Sequence, residues 1–507
     1  QVNALSSVQI QSLSSEDLNA FTSAQFRAMN SAQIAAISSD QMRSLQSEDL
    51  AAISTLGLRG LSAAQLGALG TEQIVALSSS QAAALNSAQV AGLRTDQIAR
   101  METDDLRALN SAALRALNSD QLRALNSDQW AALTTAQVNA LTPSQLQSLG
   151  SEDLNALSTA QFRVIGSAQI AALGSDQLRS LQSEDLAAIG STGLRGLSAA
   201  QLGALGTDQI VAMASSQFAA LNSAQVQGLR SDQLLALQTE DLRALSSAAI
   251  RALSSEQFQA LGSDQIAALS TAQIAALSTG PINQLALLST DEIRALSTAQ
   301  VAVLNSAQIQ GFSSDQIAAM ATDDLQALNL NAIKALASDR LAALGSDQWA
   351  ALTTAQVNAL SSAQVQSLAT EDLNALSSVQ FRALNSAQLA ALSSDQIKAL
   401  ATEDLAALNT NAWKGLSAGQ LAALGSDQII ALSTAQAAAI NSAQIAGLRT
   451  EQIARLATDD LAALNSAALR ALSSEQLRAL GSDQIAALGT QQVNSLTAAQ
   501  IQSLSSE

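Results

Sequence analysis

The sequence predicts an all-α solenoid of very short helices, one to each eight-residue unit, and three observations predict it. The first is the unit itself. Leu117-Asn-Ser-Asp-Gln-Leu-Arg-Ala124 runs into Leu125-Asn-Ser-Asp-Gln-Trp-Ala-Ala132 and then Leu133-Thr-Thr-Ala-Gln-Val-Asn-Ala140, and fixed-period self-similarity marks a repeat architecture. The second is a helix-start signature inside each unit, with a small polar residue at position 2 and Gln or Asp at position 5. The third is the apolar pattern: Ile, Leu or Val at position 6 and Leu at position 1 of the next unit stand three apart, on one helical face.

Other readings of the octad fail. In a strand, positions 1 and 6 would face opposite sides, and Gln, Ala, Leu and Asp outnumber the β-branched and aromatic residues that strands favour. In one continuous helix, eight residues at about 100° each would advance the apolar stripe by roughly 80° per unit, so that it spirals away. A broken helix fits. In Thr142-Pro143-Ser144-Gln145 the Thr caps, Pro suits the first helical position and Gln closes the box. Asp replaces Gln at Asp17, Asp49 and Asp105, and the property the two share is a side-chain oxygen acceptor. Helices this short cannot persist alone, because nucleation costs too much, so each octad is held by stacked neighbours.

A second period lies above the first. Gln1-Val-Asn-Ala-Leu5 returns as Gln137-Val-Asn-Ala-Leu141, and Gln356-Val-Asn-Ala-Leu360 returns as Gln492-Val-Asn-Ser-Leu496, both after 136 residues or 17 octads (136/8). The chain 1–507 therefore reads as a single continuous solenoid of long repeats 1–136, 137–272, a shortened 273–355, 356–491 and a partial 492–507. Octads are counted here from Leu5. Wrapped at 17/5, about 3.4 octads per turn, the octads with an acid at position 4 fall on one arc and the rest on the opposite arc. The expected superhelix has about 3 to 3.5 octads per turn; the runner-up is an αα-hairpin stack with two. At the shortened copy, residues 278–284 hold a Gly-Pro and read as a bulged loop between octads 1 and 9.

Composition narrows function. Lys and Arg total 24 against 42 Asp and Glu, a net charge of −18, which disfavours nucleic acid and an anionic membrane surface. No apolar run is long enough to span a bilayer. With neither His nor Cys, the commonest bases, nucleophiles and soft metal ligands are missing, and the abundant Ser is periodic with no partnering base. The chain reads as no enzyme, with no cofactor. It also reads as an excerpt or processed product of something longer, since the repeat is already running at Gln1.

Two surface features could carry contacts. The acidic ridge is Glu16, Asp40, Glu48, Glu72, Asp96, Asp104, Asp120 and Asp128; solvation near helix starts is its plain reading, and Ca²⁺ the sharper one, although nothing resembles a dedicated calcium loop. On the opposite arc, octads 7 and 14 lose the position-5 acceptor, as at Gly57 and Ala113, yet keep a cation at position 7: Arg59, Arg115, Arg195, Arg251, Lys334, Lys414 and Arg470. That face reads either as a solvated cation over a tight inter-turn contact or as a surface that meets a neighbour's acidic ridge. The latter contact does not close and builds filaments. Trp130, Trp349 and Trp413 occupy position 6 and read as enlarged core plugs.

Octads such as Leu269-Ser-Thr-Ala-Gln-Ile-Ala-Ala276 resemble the Leu-Ser/Thr-x-x-Gln-Ile-x-Ala tracts of large secreted proteobacterial adhesin-like surface proteins. The resemblance covers essentially the whole chain and implies an extracellular filament or stalk on a bacterium, with itself, a host surface or a glycan as partner. The expectation is a structural protein; the alternative is a binding scaffold presenting its acidic or small-residue face to cations, glycan or a protein.

Overall fold

In a computed structural model, residues 1–280 and 282–504 are described. Among the described residues every regular octad forms one helix of four to six residues, from position 3 through positions 6 to 8, except the last, Ala498–Leu504, which has seven. In helix Ser127–Ala132 the N-cap Asn126 is extended (φ −87°, ψ 173°) and so is the C-cap Leu133 (φ −57°, ψ 140°). Two extended residues, at positions 1 and 2, thus separate each helix from the next. The chain turns without left-handed backbone: no described residue has a positive φ.

The capping box predicted from position 5 is present. The backbone N–H of Asn126 donates to Gln129 Oε1 at 2.9 Å, and the N–H of Gln129 donates to Asn126 Oδ1 at 2.9 Å. Pro143 sits at the first helical position behind its Thr142 cap. Positions 6 and 1 form the core: Leu122 is fully buried and Leu125 is 3 % exposed. Phe and Trp at position 6 are taken into the same slot, Trp130, Trp349 and Trp413 at 0 % exposure.

The path of the chain follows from which helices touch. Ser79–Ala84 packs on Thr103–Ala108, Ser87–Ala91 on Ser111–Arg115, and Ser442–Ala446 on Ser466–Ala471. In each case the partner is the third helix along the chain. An αα-hairpin stack would pair every second helix, so the two-octad reading gives way to a superhelix with a little more than three octads per turn. Two compact units divide the chain, Gln1–Leu261 and Gly262–Glu507, and each is built in this way.

The turns are joined by the half of glutamine that the capping box leaves over. Gln129 Nε2 donates to the carbonyls of Met101 (2.8 Å) and Ile98 (3.1 Å), 28 and 31 residues back. Gln97 does the same to Leu69 and Leu66, both at 2.9 Å. These carbonyls lie at the end of an earlier helix, where helical partners run out; those of Ile98 and Leu66 also accept the backbone N–H three residues on. Buried and fully engaged, position 5 is the seam between turns.

The irregular join keeps this frame. Ser278 donates its N–H to Gln284 Oε1 across six residues instead of three, a bridge links Thr279 to Asn283, and a 3₁₀ turn, Gln284–Leu287, stands where a helix would. Leu285 is fully buried in the position-6 slot. The segment is a bulged loop, as expected, but it is one octad with three residues inserted; Pro281 lies outside the described residues. The next seams lengthen by the same three residues, Gln300 reaching back 31 to Leu269 at 2.7 Å.

If the seam depends on the amide donor, Gln97→Glu lowers stability at pH 7 by about 1–3 kcal/mol or more, the cost of orphaned buried partners. The same change at exposed Gln9, which only caps its own helix, leaves the urea midpoint almost unmoved. Equal losses at both sites would remove the donor from the account.

Candidate assembly faces

The ridge acids sit at position 4, in the first turn of their helices, and all eight are exposed. Stacking brings their helices into rows. Ser47–Ala52, Thr71–Val75, Thr95–Arg100 and Ser119–Arg123 follow one another in contact and carry Glu48, Glu72, Asp96 and Asp120. Ser15–Asn19 lies on Ser39–Ser44, bringing Glu16 near Asp40, and Thr103–Ala108 lies on Ser127–Ala132, bringing Asp104 near Asp128.

The ridge is less negative than its acids alone suggest. Arg43 pairs with Asp40 at 3.6 Å, Arg123 with Asp120 at 3.7 Å, and Arg94 with Asp96 at 3.0 Å. The Arg94 side chain holds the Asp96 carboxyl below the usual carboxylate range, and Arg230 does the same for Asp232. Sequence reasoning gave cations at positions 2 and 7 of acidic octads no role; their three-residue and two-residue spacing from the acid was the available signal. No group of three or more acids among the described residues is arranged to hold a metal ion.

On the opposite face the turns come closest. A Cβ on Gly60 would collide with the Ser31 carbonyl, and Gly196 and Gly415 meet Ser167 and Ser386 in the same way. At position 5, a Cβ on Gly193 would stand 2.6 Å from the Ile165 carbonyl oxygen. Small residues here let one helix sink onto the helix a turn earlier, where no glutamine could fit between.

Where the glutamine is missing and position 2 is Asn, that side chain supplies a donor instead. Asn110 Nδ2 donates to the Leu85 carbonyl at 3.0 Å, and Asn465 to that of Ile440 at 2.9 Å.

Arg59, Arg115, Arg195, Arg251, Lys334, Lys414 and Arg470 are all exposed, and among the described residues none of the seven lies within ion-pair distance of an acid of the chain. They do not form a row in direct contact. Helix Thr55–Leu58 borders Ser79–Ala84, and Ser111–Arg115 borders Ser87–Ala91, so uncharged octads stand between Arg59 and Arg115. In the second unit an open groove of about 480 Å³ lies at Lys414, lined also by Thr410, Ala438, Ser442 and Asn465.

A known repeat family matches most of the chain. The ALTTAQ repeat matches residues 15–47, 42–79, 98–135, 122–151, 148–183, 178–215, 234–271, 285–322, 317–354, 366–402, 397–434, 453–490 and 477–507. The chain belongs to the ALTTAQ repeat family. Ala132-Leu-Thr-Thr-Ala-Gln137 spells the motif, and its Gln137 is a seam residue, donating to the Leu109 and Leu106 carbonyls at 2.8 Å each. The family motif is thus the end of one helix, the two extended residues and the start of the next.

No curated protein matches the chain. Among solved structures, "Structure of APUM23-GGAAUUGACGG" is similar at 14 % identity over 99 % of this chain and 96 % of that one, with a TM-score of 0.14. "Structure of APUM23-GGAUUUGACGG" is similar at 14 % identity over 99 % and 93 %, with a TM-score of 0.12. At those scores neither likeness bears on fold or ligand.

The close approach makes a direct prediction. Gly60→Ala destabilises the protein by about 1–3 kcal/mol, the usual penalty of overpacking. Gly262→Ser, where a Cβ meets nothing within 4 Å and a cap is gained, raises the melting temperature slightly. Calorimetry on the two variants checks both signs.

Proposed function

We propose that the protein is structural: a solenoid that spans distance outside a bacterial cell, as a filament or stalk, and that associates laterally with copies of itself. The observation that carries this reading is the seam. Each turn holds the previous one through buried glutamine amides and the Leu core, so the architecture extends by repetition and needs no unique site. No helix among the described residues is long and apolar enough to cross a membrane, which fits a segment that reaches away from a surface.

Lateral association is supported by the two faces. Exposed cations stand above the closely approached turns, without acidic partners of their own, and rows of exposed acids occupy other helices. A neighbour's acids can answer those cations. Such a contact is heterologous and adds copies without limit.

The expected result is salt-sensitive bundling. Between 0.1 M and 1 M NaCl the screening length falls from about 10 Å to about 3 Å, and sedimentation then shows bundles dispersing. Replacing Arg59, Arg115, Arg195, Arg251, Lys334, Lys414 and Arg470 by Gln abolishes bundling at both salts while leaving circular dichroism unchanged. Bundling that persists in the Gln variant would overturn the cationic face, and micrographs without elongated particles would overturn the structural role.

A further inference from the structure

Position 5 departs from glutamine in a second, regular way. In octad 13 of the long repeats it is Asp105, Asp241, Asp324 and Asp460, and these carboxyls are buried at 2 %, 4 %, 6 % and 3 % exposure. None closes a capping box. Their N-caps are Glu102, Gln238, Ala321 and Ala457, which make no side-chain cap bond.

Each aspartate instead meets a hydroxyl at position 3 of the helix one turn earlier. Ser79 Oγ donates to Asp105 at 2.9 Å and Ser215 Oγ to Asp241 at 2.7 Å; Thr298 and Thr434 are the hydrogen-bonding partners of Asp324 and Asp460. All four pairs are 26 residues apart, as 105 − 79 shows. A buried carboxylate needs several donors to be held in its charged form. Asp105 Oδ2 is buried with no hydrogen-bond partner at all.

The helices packed against them offer no countercharge. The helices behind, Ser79–Ala84, Ser215–Phe218, Thr298–Ala302 and Thr434–Ala439, carry no charged residue. The helices ahead of Asp105, Asp324 and Asp460 bring Asp128, Asp347 and Asp483. On their own helices the neighbours are Asp104, Glu240, Asp323 and Asp459, with Glu102 at the first N-cap, while Arg107 and Arg243 are exposed two positions on.

We propose that these four aspartates are proton-operated clasps between successive turns, closed when the carboxyl is neutral and strained when it is ionised. A protonated carboxyl carries both a donor and an acceptor, like the glutamine amide it replaces. An ionised one is a buried charge facing one hydroxyl and further acids. The solenoid therefore tightens as it is acidified.

Burial pushes all four carboxyls above the ordinary range, and the adjacent acids add to it. At the equivalent place in octad 6, Asp185 is pushed up to about 6 by burial and Glu184. A folded pKa above the unfolded one stabilises fully below the unfolded value, about 3.9, and that stabilisation is lost as pH rises through the folded value. The sensitive window therefore opens near pH 4 and lies above it, reaching about 6 at Asp185. The inference does not depend on the proposed assembly.

Two fourfold variants of the full chain test it, matched in charge. One is Asp105→Asn, Asp241→Asn, Asp324→Asn and Asp460→Asn; the other neutralises the exposed neighbours, Asp104→Asn, Glu240→Gln, Asp323→Asn and Asp459→Asn. The wild type should melt higher at pH 4.5 than at pH 7.5, the buried set should lose much of that difference, with Asp185 carrying part of the remainder, and the exposed set should keep most of it. Hydrogen exchange in the unmutated chain reads the same event without relying on the variants. After correction for intrinsic exchange, amides of Thr103–Ala108 should be protected about tenfold more at low pH for each unit of pKa elevation. A buried set that keeps the wild-type slope, an exposed set that flattens it as much, or protection unchanged with pH would each overturn the clasp.

Discussion

One side chain at position 5 closes two circuits at once, and the rest of the structure depends on it. Its carbonyl oxygen completes the start of its own helix, and its amide nitrogen completes the end of helices a turn earlier. Departures from glutamine separate the two roles. Arg340 keeps only the donor: its Nε bonds the Phe312 carbonyl at 2.6 Å, and its helix has no capping box. Glu292 keeps only the acceptor, taking the Ser289 N–H at 2.6 Å, and is half-exposed. Gly57 and Ala113 keep neither and rely on close approach. Neither circuit would suffice alone, because a helix of five residues has no stability outside its stack.

The energetics favour many small identical contributions over a few large ones. A net hydrogen bond contributes only about 1 kcal/mol, yet leaving a buried partner unmade costs more. The seam thus acts chiefly as a register device: a slipped turn would strip the amide and the position-1 carbonyl of their shared bond at each glutamine octad. Hydrophobic burial at positions 6 and 1 supplies the attraction and tolerates Ile, Leu, Val, Phe, Met and Trp alike. The Trp slots show the limit of that tolerance. The indole N–H groups of Trp130 and Trp413 find no acceptor, whereas that of Trp349 faces the Asp372 carboxyl, which burial pushes up and this indole pulls the other way.

The helix-and-turn octad was legible because capping chemistry is local. Thr142-Pro143 announces a helix start with no knowledge of the rest of the chain. The superhelical period was legible because acids sort by face. The donor half of position 5 was not foreseen, since Gln and Asp share an acceptor and the box asks only for that. The preference for Gln over Glu was the missed signal: a box would accept either, whereas a seam requires N–H. The pairing of Arg43, Arg94 and Arg123 with Asp40, Asp96 and Asp120 was not foreseen either, because no role was sought for cations inside the acidic octads.

The backbone uses only two conformations, helical and extended, and no described residue enters the left-handed region. Ordinary turns spend glycine on geometry that other residues resist; here glycine at the N-cap, as in Gly166 (φ −83°), occupies a conformation open to any amino acid. Ser, Asn, Gly, Gln, Ala, Thr, Arg and Glu accordingly trade places at position 2 along the chain. Substitution there costs a cap, and at Asn110 or Asn465 an inter-turn bond as well. Gene duplication can multiply such a unit, and copies can then diverge at position 2, because the turn itself asks for no left-handed residue.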